Sequence, residues 1–163
     1  MRIGIMGDTH GDVFSMQQAV AVAGPVEFWL HTGDFYRDSL LLAAIASVPV
    51  TAVAGNCDGR AEAKPDEFIE VAGFRLWLTH GHRYGVKNDL SELREWALLY
   101  EADVVVFGHT HQPFVGNESG LLFFNPGSPA MPRRGRSRTC GVLELISERS
   151  GQIEFIPHLI SIC

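Results

Sequence analysis

Apolar residues along the chain fall into short runs whose spacing switches between that of a strand and that of a helix. Arg2–Gly7 is a brief apolar run bounded by glycine and aspartate, as expected of a buried strand. Asp12 can then cap a helix whose face is Val13, Met16, Val20 and Ala23, stopped by Gly24-Pro25. Glu27–Thr32 predicts the next strand, Asp38–Val48 a helix ended before Pro49, and β-branched Val50–Ala54 a third strand. Phe68–Val71 and Phe74–Thr79 predict two strands around Ala72-Gly73. Asp89 and Glu92 have capping-box spacing ahead of a helix with Leu90, Leu93, Trp96 and Tyr100 on one side, and Val104–Phe107 predicts a strand. Thereafter the pattern is all-β: Leu121–Phe124, Thr139–Ile146 and Gln152–Leu159, the last two joined by a turn at Glu148-Arg149-Ser150-Gly151. The alternation implies an α/β core, with the β-rich tail as a second sheet or an extension of the first.

Five polar clusters sit where apolar runs end: Asp8-Thr9-His10-Gly11, Gly33-Asp34, Gly55-Asn56-Cys57-Asp58, His80-Gly81-His82 and Gly108-His109-Thr110-His111. Singly, each has an ordinary explanation as a cap, a turn or a solvated loop. Together they supply carboxylates (Asp8, Asp34), an amide (Asn56) and imidazoles (His10, His80, His109, His111, with His82 as a further candidate). These oxygen and nitrogen donors suit a hard or borderline divalent metal. They are too many for one ion and enough for two sharing a carboxylate, a centre suited to in-line attack of water on phosphorus. Ligands in open α/β sheets bind outside the carboxyl ends of strands, so clusters far apart in sequence are expected to converge.

At 163 residues the chain is long enough for one domain spanning 1–163 with a substantial core. No apolar run approaches membrane-spanning length, and the N-terminus has the pattern of a strand rather than of a secretory leader. Cys57, Cys140 and Cys163 give neither a disulfide framework nor zinc-thiolate spacing, so a cytoplasmic location is expected. A net charge of −6 argues against a duplex nucleic-acid partner, though not against a phosphate substrate. Four arginines at 133, 134, 136 and 138 form either a solvated loop or a grip on substrate phosphate. His31 is expected to be structural or to support the site, His158 to be unrelated to it, and Asn125-Pro126-Gly127-Ser128 to be a turn or part of the site's rim.

In their order the clusters resemble the calcineurin-like metallophosphoesterase superfamily, and within it the small YfcE-type phosphodiesterases. The pattern D-x-H, G-D, G-N-x-D/E, H-G-H and G-H-x-H is matched by the five clusters, and N-P-G-S by Asn125 to Ser128. The resemblance implies two packed mixed β-sheets flanked by helices, a four-layer α-β-β-α sandwich. It assigns one metal to Asp8, His10, Asp34 and His111 and a second to Asp34, Asn56, His80 and His109, with Asp34 bridging. Manganese is expected first, with nickel, iron or zinc as alternatives. The implied reaction is hydrolysis of a small or nucleotide-like phosphodiester by a metal-bridging hydroxide. A phosphomonoesterase or protein phosphatase of the same chemistry, and a non-catalytic scaffold like the retromer subunit of this superfamily, are the competing readings. Self-association into a homo-oligomer is left open. One position departs from the wider superfamily: the residue after the amide donor, often a proton-donating histidine, is Cys57, as in YfcE-type members. That leaves His82 as the candidate proton donor or phosphate contact.

Overall fold

The computed structural model describes residues 1–59, 63–133, 135–147 and 153–163. The elements, in chain order, are β1 (Arg2–Met6), α1 (Val13–Ala23), β2 (Phe28–His31), α2 (Asp38–Ala46), β3 (Val50–Ala52), β4 (Asp66–Val71) and β5 (Phe74–Thr79). A single 3-10 turn at His82–Tyr84 follows, then α3 (Ser91–Leu99), β6 (Val104–Val106), β7 (Pro113–Glu118), β8 (Leu121–Pro126), β9 (Arg138–Ser147) and β10 (Ile153–Ile162).

The strands form two mixed five-stranded sheets, ordered β10-β9-β1-β2-β3 and β4-β5-β6-β8-β7. In the first, β1, β2 and β3 are parallel, β9 is antiparallel to β1, and β10 is antiparallel to β9; in the second, β5, β6 and β8 are parallel, with antiparallel β4 and β7 at the edges. The tail therefore completes both sheets.

Strand alternation explains the layers. Ile3, Ile5 and Leu30 of one sheet face Leu76, Leu78, Val104, Val106 and Phe124 of the other, forming the inner core. Their neighbours point outward and are buried too. Met6, Trp29 and Val142 pack under α1 and α2 against Met16, Ala19 and Leu42, while Trp77, Val105 and Phe123 pack under α3 against Leu93 and Ala97. Both faces of each sheet are thus covered, which is why the central strands are continuously apolar.

Several local expectations are corrected. β7 was not anticipated: it is an edge strand in which Phe114 and Val115 are exposed, so it lacks the alternation of a half-buried strand. Asp89 does not cap α3 in a box; its Oδ1 accepts from Ser91 N two residues on (2.8 Å), and Leu90 occupies the cap position. Trp96 lies at the exposed margin of α3 rather than on its buried face, and Val13 of α1 is exposed, the buried positions there being Ser15, Met16, Ala19 and Ala23. α2 stops at Ala46 because Ser47 turns left-handed and donates its N–H to Ala43 O. β4 begins at Asp66, before the expected Phe68, and β10 runs on to Ile162. The turn expected at Glu148-Arg149-Ser150-Gly151, and Gln152 after it, lie outside the described residues.

Candidate metal centre

The loops leaving β1, β2, β3, β5 and β6 meet at one end of the sandwich, with both sheets contributing. They deliver two groups of donors. Asp8, His10, Asp34 and His111 form one; Asp34, His80 and His109 form the other; within each, one donor atom per residue lies within 4.8 Å of the rest. Asn56, from the loop after β3, places its Oδ1 3.2 Å from His80 Nε2 and so joins the second group. Asp34 belongs to both. All seven residues singled out as metal donors in the sequence are brought together.

The orientation of the rings suits a cation. His80 Nδ1 lies 2.8 Å from Thr32 O and His111 Nδ1 lies 2.7 Å from Met131 O. A carbonyl only accepts, so each Nδ1 carries the proton and each Nε2 turns a lone pair inward. There, His10 Nε2 and His111 Nε2 approach to 3.3 Å, and His80 Nε2 and His109 Nδ1 to 3.2 Å. Asp8 Oδ1 is buried without a hydrogen-bond partner, 3.3 Å from His111 Nε2. Facing lone pairs and an orphaned carboxylate oxygen are costly alone and favourable around a divalent ion, so these residues fit a metal.

Electrostatics agree with that chemistry. Burial opposes ionisation of Asp34, but nearby His80 and the Cys57 N–H outweigh it and hold the carboxyl below its usual range. Burial, His80 and Lys87 push His109 down to about 4, keeping a lone pair available. His111 moves upward because it contacts Asp8, against its partial burial.

Behind the donors lies a polar scaffold. His31 accepts from Gly33 N at Nδ1 (3.2 Å), so its Nε2–H donates to Thr9 Oγ1 (3.1 Å), and the Thr9 hydroxyl donates to Asp38 Oδ2 (2.6 Å). The same Asp38 oxygen accepts from Gly11 N at 2.8 Å, fixing the Asp8–Gly11 loop from both ends. Burial pushes His31 down to about 4, so it serves as a neutral imidazole in this relay. Asp58 ties two donor loops together by accepting from Gly55 N (2.7 Å) and Tyr36 N (2.5 Å). The Asn125-to-Ser128 segment closes the back of the site rather than its rim. Asn125 Nδ2 donates to Gly108 O and Thr110 Oγ1, and Ser128 Oγ donates to Asp8 O. Two glycines are required by close approach: a Cβ on Gly55 would lie 2.1 Å from Asp34 Oδ1, and one on Gly108 would lie 2.8 Å from Asp8 Oδ2.

Thr9 and Asp38 were missed as supporting residues, and Ser128 was anticipated only as part of a turn or rim. Asp38 looked like the start of a helix, which it also is, and nothing in the sequence marks its second task. His31 supports the site as expected, and His158 lies away from it, pairing with Glu144 across β9 and β10 (3.2 Å). His82 stands beside the second donor group without joining it, its ring centroid 5.3 Å from that of His80, and burial followed by the neighbouring His80 lowers its pKa. Desolvation and the Asp34 carboxylate push the Cys57 thiol up to about 11. Of the arginines, Arg138 donates to Ser15 Oγ on α1, Arg133 and Arg136 line clefts beside the donors, and Arg134 lies outside the described residues.

A two-sheet sandwich with oxygen and nitrogen donors collected at its strand ends is the setting of a candidate metal centre. Residues 1–148 match the calcineurin-like phosphoesterase superfamily domain, and the chain belongs to that superfamily. It is 37% identical over 138 residues to a probable metallophosphoesterase of Methanothermobacter thermautotrophicus, covering 82% of this chain and 80% of that protein. It is 31% identical over 144 residues to the phosphodiesterase MJ0936 of Methanocaldococcus jannaschii (78% and 83% covered). With the phosphodiesterase YfcE of Escherichia coli it shares 34% identity over 103 residues, 58% of this chain and 52% of that protein. Among solved structures, a predicted phosphoesterase of Streptococcus pneumoniae superposes with a TM-score of 0.80 at 27% identity, covering 98% of this chain and 88% of that one. Vps29 of Entamoeba histolytica, solved with zinc, shares the fold at a TM-score of 0.74 and 21% identity, each chain covered in full. No helix among the described residues is long and apolar enough to cross a membrane.

Proposed function

We propose that this chain is a phosphodiesterase that works with two divalent ions and hydrolyses a small or nucleotide-like diester. The observation that carries the reading is the membership of Asp34 in both donor groups. Asp8, His10, Asp34 and His111 would hold one ion, and Asp34, Asn56, His80 and His109 the other. A set of carboxylate, amide and imidazole donors without thiolate suits manganese, with nickel, iron or zinc as alternatives. When bound, such a pair of ions lowers the pKa of water and neutralises charge building on the phosphoryl oxygens.

The chain's own residues set the rest. Asp34, held ionised, is the shared ligand, and its position is fixed by the Cys57 N–H donating to Oδ1 at 2.9 Å. Cys57 is a poor general acid, since its thiol holds its proton up to about 11. His82 has a lowered pKa, so its protonated form is scarce at neutral pH and its role is to donate an N–H to a phosphate oxygen. The leaving oxygen then departs without a strong proton donor, which favours esters of acidic alcohols and phenols. Relatives that are named phosphodiesterases support the diester preference.

The test is hydrolysis of bis(4-nitrophenyl) phosphate and 4-nitrophenyl phosphate, after chelation, with Mn²⁺, Ni²⁺, Zn²⁺ or Mg²⁺ added back. Activity should return with Mn²⁺, and kcat/KM should favour the diester by about tenfold or more. Equal rates on the two esters, or full activity in chelator, would contradict the reading.

A further inference from the structure

A cleft of about 350 Å³ opens beside the donors, and the chemistry described so far makes no use of it. Its floor includes Leu90, Phe107 and Phe114, and its walls carry Lys87, Arg133 and Arg136; no aspartate or glutamate lines it among the described residues. Thr110, which separates His109 from His111, forms part of the same lining, so the cleft borders the donor groups directly.

Two features make it a prepared site rather than a surface depression. Phe114 is 41% exposed, and its ring lies against Gly116, two residues on along β7, where a Cβ would sit 2.8 Å from the ring. The absence of a side chain there leaves room for the tip of the ring beside the strand, and the ring stays part-exposed in the cleft. A pre-placed aromatic face costs little entropy to use and stacks well on a planar ring. Arg133 is anchored as well: its Nε donates to Thr110 O at 3.1 Å, which holds the guanidinium beside the donors. Its terminal nitrogens make no hydrogen bond among the described residues.

The charge of the cleft is out of proportion to a simple diester. Among the described residues four other cations are paired, Lys64 with Glu67, Arg75 with Glu70, Arg83 with Asp66 and Arg94 with Glu118, while Arg2 and Arg138 are held by neutral oxygens instead. Among the described residues Lys87, Arg133 and Arg136 form no ion pair, although the chain carries a net charge of −6. A phosphodiester brings one negative charge, and that charge belongs at the donor groups. Three unpaired cations around an aromatic floor therefore fit a second anion attached to a planar ring.

We propose that this cleft binds one half of a phosphorylated dinucleotide, its base against Phe114 and its terminal phosphate between Lys87, Arg133 and Arg136. The catalytic part of the proposal rests on the phosphodiesterase reading; the binding part does not.

Two measurements on the full chain supplied with Mn²⁺ separate these parts. The first compares kcat/KM for the 5′-phosphorylated dinucleotide pApA and for ApA. The second measures binding of a pApA analogue whose linkage is a methylphosphonate, which keeps the terminal phosphate but is neutral at the scissile position. The wild type should prefer pApA by about tenfold, and Lys87→Ala/Arg136→Ala should bring the ratio close to one. The same double variant should weaken the analogue about tenfold, and Phe114→Ala should weaken it where Phe114→Leu, which retains bulk without the ring, does so equally. Binding that responds to these changes, without hydrolysis of either dinucleotide or of bis(4-nitrophenyl) phosphate, would sink the phosphodiesterase reading and uphold the subsite. Hydrolysis with a pApA to ApA ratio near one, and analogue binding unmoved by the double variant, would overturn the subsite.

Discussion

The two ends of the sandwich use the same backbone conformation for different reasons. At the end away from the donors, the β4–β5 and β7–β8 hairpins turn through Ala72-Gly73 and Ser119-Gly120, all at positive φ (51° to 88°). These turns are exposed, and a Cβ on Gly73 or Gly120 would meet nothing within 4 Å. At the donor end, positive φ falls on Asp8 (52°), His10 (47°), Asp34 (57°), His109 (67°) and His111 (56°). Here no hairpin demands it. The conformation aims the side chains at one another, and it is held by His31, Asp38, Asp58, Asn125 and Ser128. A non-glycine residue held this way costs on the order of 1–3 kcal/mol, which the rest of the fold must offset. Positive φ therefore marks a turn where space is open, and a functional constraint where side chains are buried or half-buried and the polar neighbours are spoken for.

Substitutions at paired glycines sharpen this contrast. Gly108→Ala should have the largest effect, because its Cβ would lie 2.4 Å from Thr32 Oγ1 as well as close to Asp8. The expected outcome is a loss of about 100-fold in kcat/KM and about 2–3 kcal/mol of stability in urea. A pH dependence of stability should be intermediate. His31 is pushed down to about 4 from 6.5, so the unfolded chain binds its proton more readily between those values. Its contribution is complete above about 6.5 and is lost as pH falls toward about 4. The urea midpoint of the chelated protein should drop over that window, and His31→Gln, which retains an N–H donor, should flatten the drop. A parallel curve for the variant would show that His31 is not the group responsible. Gly120→Ala should do least: about 1 kcal/mol of left-handed strain and no change in rate.

Much of the donor end was legible in the sequence because of how strands end. Asp8, Asp34, Asn56, His80 and His109 each follow an apolar run, and parallel strands deliver such residues to one edge. The layers came from the family resemblance rather than from the runs themselves, which are apolar throughout; in the structure Ile3 and Ile5 face the inner core while Met6 and Trp29 face the helices. What the sequence concealed was long-range and polar. The bond from Thr9 to Asp38 spans 29 positions, and Asp38 is indistinguishable from an ordinary first residue of a helix. β7 was hidden because an edge strand need not alternate, and Asp89 because its turn to Ser91 and a capping box share the same residues. Cys57 was visible as a departure, but only its burial and the Asp34 carboxylate beside it explain why its thiol makes a weak acid.

The central claim is that one carboxylate serves two ions. Elemental analysis of protein loaded with Mn²⁺ and freed of excess metal measures it directly, for the wild type and for Asp34→Ala. The account predicts two ions per wild-type chain, fewer than one in the variant, and loss of diester hydrolysis with the fold intact by circular dichroism. A wild-type chain holding a single ion, or an Asp34→Ala chain that keeps one tightly bound ion and wild-type turnover, would contradict it.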